Sequence, residues 1–121
     1  LALIEQTRAV TAGDLLVVCE LPSYVIEVTK SVQKAASSGA SIITITDSPA
    51  APVCQSSTLS FYVSDTTPTF GSSLVGPIFL VHILTSGLAS TLGDSAKEAL
   101  NDQKMGLHDE QIYHPAYGLR Y

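Results

Sequence analysis

Positive charge is scarce in this chain: six Lys and Arg stand against eleven Asp and Glu in 121 residues, a net charge of −5. Nucleic-acid affinity comes mainly from Lys and Arg meeting phosphates, so the chain is not expected to contact DNA by itself. Cysteine is sparse too. Cys19 falls in an apolar run and Cys54 in a turn-like one, with no CxxC spacing and no neighbouring ligand pair. That pattern opposes a metal centre built on them and reads as two reduced thiols. A long uninterrupted apolar run is also missing. The longest, residues 74–84, contains Gly76, Pro77 and His82 and falls short of the ~20 residues that cross a bilayer. No membrane span is expected from it. The N-terminus shows no basic segment followed by an apolar stretch and a cleavage site, so no secretory signal is read and a cytoplasmic location is expected.

What the chain does have is apolar content. Hydrophobic residues make up 45% and charged residues 14%, with a mean hydropathy of +0.29. Such a chain has ample apolar surface to offset its ordering entropy, which opposes disorder. Its length suits one domain with a single core. The excess apolarity implies a face covered by another chain or by residues outside this sequence. Because the sequence opens at Leu1, already inside an apolar-periodic segment, it is expected to be a piece of a longer protein.

Leu1, Leu3, Ile4 and Val10, followed by Gly13, predict a short helix stopped by glycine. Residues 15–21 (LLVVCEL) form a near-continuous apolar run, the pattern of a strand covered on both faces. Pro22 and Ser23 are expected to open a helix whose apolar positions are Val25, Val28, Val32 and Ala35, ending at Gly39. Residues 41–46 (SIITIT) and 59–63 (LSFYV) read as β-branched and aromatic strands, with one helical turn between them in the proline-rich SPAAPVCQSS segment. A long apolar helix is expected from about Ser72 to Leu88, with Pro77 tolerable only near its first turn or at a kink. A polar amphipathic piece follows from Asp94 to Met105, stopped by Gly106, and residues 106–121 read as an irregular tail. Strands alternating with helices at short spacing imply right-handed crossovers and a parallel sheet. LLVVCEL, too apolar for comfortable exposure, is expected at an open edge of that sheet.

In an open parallel sheet, ligands bind outside the carboxyl ends of the strands. Three loops qualify: residues 20–24, 46–49 and 68–73. Ser23 precedes a helix and is read first as its N-cap, with phosphate contact as the alternative. Asp47 is read as an Asx cap of the turn that Pro49 fixes, and Ser48 lies beside it. Gly71, Ser72 and Ser73 combine a flexible residue with two small hydroxyls at a helix start, an arrangement open to phosphate. His82, alone on an apolar helix, is read as packing or interface rather than catalysis. His108, Asp109, Glu110 and His114 lack the i, i+4 histidine spacing of a helical metal site, so no metal is assigned to them. Tyr113, Tyr117 and Tyr121 recur every four residues in the tail and are expected to pack on a neighbouring chain.

The segments GDLLVVCELPSYVIEVTKSVQKAASSGASIITITDSPAAPV and VSDTTPTFGSSLVGPIFLVHIL resemble the sugar isomerase (SIS) domain, most closely the form carried by RpiR-type bacterial transcriptional regulators. The resemblance runs from about Gly13 to Leu88, and ITDSP followed by a strand and a Ser-Leu-Val helix start is its most specific part. It implies an α/β three-layer sandwich on a parallel sheet, Rossmann-like or flavodoxin-like. The family sheet has five strands, and this chain supplies what correspond to the last three, making it an incomplete domain. The family binds phosphosugars, and regulator members use them as effectors and dimerise through this domain. A serine-rich loop after the family's first strand has no counterpart here. The family's second loop, Ser-x-Ser-Gly-x-Thr, is replaced by residues 20–25, where Ser23 survives displaced and Glu20 would repel a nearby phosphate. Tyr24 occupies a position often held by tyrosine in regulator members, and Ser72 or Ser73 matches a family serine at the start of the long helix.

The resemblance thus implies a phosphosugar-sensing, homo-oligomeric regulator domain, with Ser23, Tyr24, Ser48, Ser72 and Ser73 as ligand-binding residues. It needs no cofactor, metal or catalytic residue, and DNA is met only through a domain outside the sequence. An isomerase is the alternative; it needs an acid and a base, for which Glu20, Glu98 and His82 are the candidates. A degenerate module serving assembly alone is the other.

Overall fold

A computed structural model describes residues 2–109. Two compact units make up the chain, Leu1–Leu80 and Val81–Tyr121.

The first unit is built on three parallel strands in the order β1-β2-β3: β1 (Leu15–Cys19), β2 (Ser41–Thr46) and β3 (Leu59–Tyr62). Leu15 pairs with Ser41 and Cys19 with Ile45; Ile43 pairs with Leu59 and Thr46 with Tyr62. The ladder runs one residue further at each carboxyl end, with Glu20 N–H donating to the Ile45 carbonyl at 3.0 Å and Val63 N–H to that of Thr46 at 2.8 Å. All three strand regions and their parallel sense match the sequence reading, as does the helical turn after ITDSP, a 3-10 helix over Pro52–Ser56.

β2 is the centre of the unit. Its β-branched side chains suit a pleated surface covered on both faces, and Ile42, Thr44, Ile45 and Thr46 are buried. On one face Ile42 joins Val32, Ala35, Ala40, Ala51 and Val53 in the core, with Leu16, Val18 and Tyr24 packed against it. On the other face the register aligns Val17, Ile43 and Leu59 in one row and Cys19, Ile45 and Phe61 in the next. β1 is an edge strand, as the LLVVCEL run foretells, but it is not covered on both faces as that run implies: Leu15, Val17 and Cys19 are exposed on one face while Leu16 and Val18 pack on the core with the other.

α1 (Ala2–Thr7) ends before Gly13, earlier than its apolar spacing implies, because the chain relaxes into single turns from Arg8 to Glu5 and from Val10 to Thr7. α2 (Ile26–Ser37) covers the core face with Val32 and Ala35. It closes in a Schellman motif, with Gly39 N–H on the Ala36 carbonyl at 3.0 Å and Ala40 N–H on that of Ala35 at 3.2 Å. Gly39 has φ +89, and a Cβ there would stand 3.0 Å from Ala12 Cβ. The glycine stop expected at this position therefore has two causes, conformation and space.

α3 (Val75–Leu92) starts three residues later than the Ser72 of the sequence reading, which places Pro77 at its third position, inside the first turn where proline fits. Its 18 residues have a hydropathy of 1.6 and are only 6% buried. By length and composition alone the helix is long enough to cross a membrane, which the shorter 74–84 run does not reveal. The second unit contains α4 (Asp94–Asp109), which passes through Gly106 instead of stopping there. Gly106 has no positive φ, so the helix bears only the entropic penalty of an interior glycine and continues. The tail tyrosines Tyr113, Tyr117 and Tyr121, with Glu110 and His114, lie outside the described residues.

Candidate functional site

Parallel pairing sends the loops after β1, β2 and β3 to one end of the sheet, so the sequence-predicted residues share a rim. The β1 loop carries Ser23 and Tyr24, the β2 loop Asp47 and Ser48, and the β3 loop Asp65, Ser72 and Ser73. Two side chains tie the first loops together: Tyr24 donates its hydroxyl to Asp47 Oδ1 at 2.7 Å. Thr46 adds a second hydroxyl to the same oxygen at 3.1 Å. The bond to Asp47 holds the Tyr24 phenol up at about 12, with partial burial and the charges of Asp47 and Asp65 adding to it. In return the bond from Tyr24 holds the Asp47 carboxyl below its ordinary range. The third loop folds on itself, with Ser72 donating to Asp65 Oδ2 at 2.9 Å and Ser73 N–H to the Asp65 carbonyl at 2.8 Å.

Several sequence readings change here. Ser23 does not cap α2: the helix starts at Ile26, its N-cap is Val25, and Ser23 sits exposed in the bend at φ +77. It is the one non-glycine residue with positive φ among the described residues. No side chain caps the first turn of α2; Glu20 Oε1 instead accepts the N–H of the N-cap residue Val25 at 2.8 Å and ties the β1 loop to the helix start. A carboxylate at the N-terminus of a helix also meets the positive end of its dipole. Asp47 is the acceptor that bridges two loops rather than an Asx cap; Ser48 fills the local role, accepting Ala50 N–H at 3.2 Å. Ser73 Oγ takes the Val75 N–H at 3.4 Å at the start of α3.

The direction of these bonds decides what remains for a ligand. Tyr24 and Ser72 commit their protons to Asp47 and Asp65. Ser48 and Ser73 accept from backbone and keep their hydroxyl protons to donate. Glu20 is only 7% exposed, and its second oxygen, Oε2, is buried with no hydrogen-bond partner among the described residues. Glu20 and Asp65 are not among the ligand-binding residues read from sequence. Their signal is present in kind: each is an acid placed just past the end of a strand, in a loop with no cation. His82 is exposed on α3, not packed in a core, and no group of three metal-ligating side chains occurs among the described residues.

The family model of the SIS domain matches residues 3–87. The chain belongs to the SIS-domain family. Among solved structures, this SIS domain is similar to the crystal structure of an RpiR transcription factor from Sphaerobacter thermophilus, described as its sugar isomerase domain. The TM-score is 0.76 at 19% sequence identity, with 87% of this chain covered. The match spans 59% of that solved chain. At this identity the likeness is one of fold, and it bears out the SIS-like α/β architecture on a parallel sheet. No curated protein matches the chain.

Proposed function

We propose that this SIS domain is the effector-sensing and dimerising part of an RpiR-type regulator, non-catalytic and cytoplasmic, with DNA contacted by a domain outside this sequence. The observation that supports the reading best is the shared rim, where the Tyr24 to Asp47 bond joins two loops and Ser48 and Ser73 keep hydroxyl protons to donate. A phosphosugar bridging such loops has differential contacts with the joined and separated arrangements, which is what an effector needs to bias an equilibrium. The exposed apolar side chains of α3, Ile78 and Phe79 among them, favour a second copy as their cover.

Thermal-shift titration of the complete protein with a panel of sugar phosphates tests the reading. A saturable rise in melting temperature for at least one sugar is expected. A flat response across the panel, with the dimer intact, leaves an assembly module and ends the sensing reading.

A further inference from the structure

The third loop is closed at its neck. Ser73 N–H donates to the Asp65 carbonyl at 2.8 Å and Ser72 Oγ to Asp65 Oδ2 at 2.9 Å, so the two ends of residues 65–73 meet. The Asp65 charge reaches the Tyr24 phenol, which puts this neck beside the bond that joins the first two loops. Within the loop the hydroxyls serve one another: Thr67 and Thr69 share a bond at 3.1 Å, and Thr67 Oγ1 accepts the Thr69 N–H at 3.3 Å. Gly71, at φ +75, turns the chain immediately after Phe70.

Phe70 is the residue this loop leaves over. Its side chain is 101% exposed, and the next large apolar residue among those described, Val75, is 76% exposed. Single apolar residues on a surface are ordinary. This one stands on a loop at the carboxyl end of a parallel sheet, where ligands bind. Its neighbours, residues 66–69 and 71–73, are threonine, proline, glycine and serine, with no charge among them. A second copy of the chain would want a cluster of apolar side chains there and a bare phosphate would want cations; these residues offer neither. One aromatic face among hydroxyls matches a closed sugar ring, which shows C–H groups on its faces and hydroxyls around its edge. Partly positive C–H groups meet the negative face of a phenyl ring. The reach is short as well. Phe70 precedes Ser73 by three positions, a span of at most ~11 Å, so a sugar held by the Ser73 hydroxyl lies close to the phenyl group.

We propose that Phe70 is a platform for the closed, pyranose form of the effector, with a C–H face of the ring on the phenyl group and its oxygens on the hydroxyl protons of Ser48 and Ser73. The proposal rests on the sensing reading above and adds to it the ring form of the sugar and the residue that selects it. An open-chain sugar has no C–H face of this kind, so the platform discriminates against it. Aldose-ketose interconversion moves its proton on the open chain, and a site that selects the ring serves sensing instead.

Ring and chain are compared directly. The complete protein is titrated by calorimetry with the 6-phosphates of glucose, mannose, galactose and N-acetylglucosamine, each beside the alditol 6-phosphate made by its reduction. Both members of a pair carry the same phosphate and carbon skeleton, and only the reduced one cannot close. At least one ring form is expected to bind, and to bind tighter than its alditol. Phe70→Ala is expected to weaken that ring form about three- to tenfold and to leave the alditol unchanged, the effect of losing one aromatic contact. Without ligand the variant should melt with the wild type, since nothing covers Phe70. Phe70→Trp is expected to keep the affinity, and because this sequence contains no Trp, the difference in emission from wild type reports the new indole alone. That emission should move to shorter wavelength as the ring form saturates the protein. Equal weakening of ring form and alditol, unchanged affinity in Phe70→Ala, or an emission that does not move each overturns the platform and leaves the sensing reading standing. A fall in solution mass for Phe70→Ala gives the side chain to a second copy and overturns the platform too. No binding by any ring form ends both readings.

Discussion

Gly39 controls how the chain leaves α2 and enters β2, and hence where Asp47 and Ser48 arrive at the rim. Two separate penalties await a side chain there. At φ +89 an alanine is in the left-handed region, which costs about 1–2 kcal/mol. Its Cβ would also stand 3.0 Å from Ala12 Cβ, and relieving that overlap costs about 1–2 kcal/mol more. Gly39→Ala is therefore expected to destabilise by about 2–4 kcal/mol in urea unfolding, as a shift of midpoint at constant slope. Two further variants separate the terms. Gly13 has φ +93 but nothing within 4 Å of the Cβ that an alanine would add, so Gly13→Ala carries only the conformational cost, about 1–2 kcal/mol. In an Ala12→Gly background the nearest remaining atom to the new Cβ is the Cα of residue 12 at 3.4 Å, an ordinary contact. There, Gly39→Ala is expected to cost no more than Gly13→Ala, giving a coupling of about 1 kcal/mol or more between positions 12 and 39. A loss below about 0.5 kcal/mol for Gly39→Ala would refute both the Schellman closure and the close approach of residue 12, and additive effects in the double variant would refute the close approach alone.

Three other outcomes follow from the same geometry. Tyr24 is expected to form phenolate at about pH 12 in the folded protein, read as the absorbance difference between wild type and Tyr24→Phe, and Asp47→Asn should bring that transition down towards 10. Because the folded value lies above the unfolded one, the stability contributed by Tyr24 is fully present below pH 10 and lost between pH 10 and about 12. Asp47 behaves in the opposite sense: its carboxyl is held below the ordinary 3.8, so its contribution is present above that value and lost as pH falls through the lowered one. A transition of Tyr24 at its ordinary value, unmoved by Asp47→Asn, would remove the bridge between the loops. Ile45 is wholly buried on the central strand, and Ile45→Ala should cost about 2–5 kcal/mol in the same urea assay; a smaller loss would mean that its sheet face is not closed. If a second copy covers α3, Phe79→Glu should reduce the solution mass to that of one chain in light scattering, whereas an unchanged mass would place the interface elsewhere.

The strands are legible in the sequence because their chemistry is local: LLVVCEL and SIITIT are apolar or β-branched runs bounded by glycine, proline and serine, and no competing periodicity runs through them. Gly39 announces the end of α2 for the same reason, since a positive φ is written in the residue itself. The helix starts lie three residues beyond Ser23 and Ser72, which are good capping residues by type, while the side chain that holds the start of α2 is Glu20, on the Val25 N–H, a contact made only once the loop has closed. Gly106 misleads in the other direction, since a glycine inside a helix weakens it without ending it. Of the rim's composition, the serines, Asp47 and Glu20 are legible as loop residues, and the partners of the acids are not. Asp65 meets Ser72 across seven positions of loop, and Asp47 meets Tyr24 across 23, contacts that no spacing rule encodes.

Effector binding at the carboxyl-end rim is the central claim. The most direct measurement is residue-resolved NMR of the complete protein titrated with a sugar or sugar phosphate that raises its melting temperature. Shifts concentrated on Ser23, Tyr24, Asp47, Ser48, Asp65, Ser72 and Ser73 are the predicted result. Saturable binding that leaves those seven signals in place, with the shifts gathered on other elements, would contradict it.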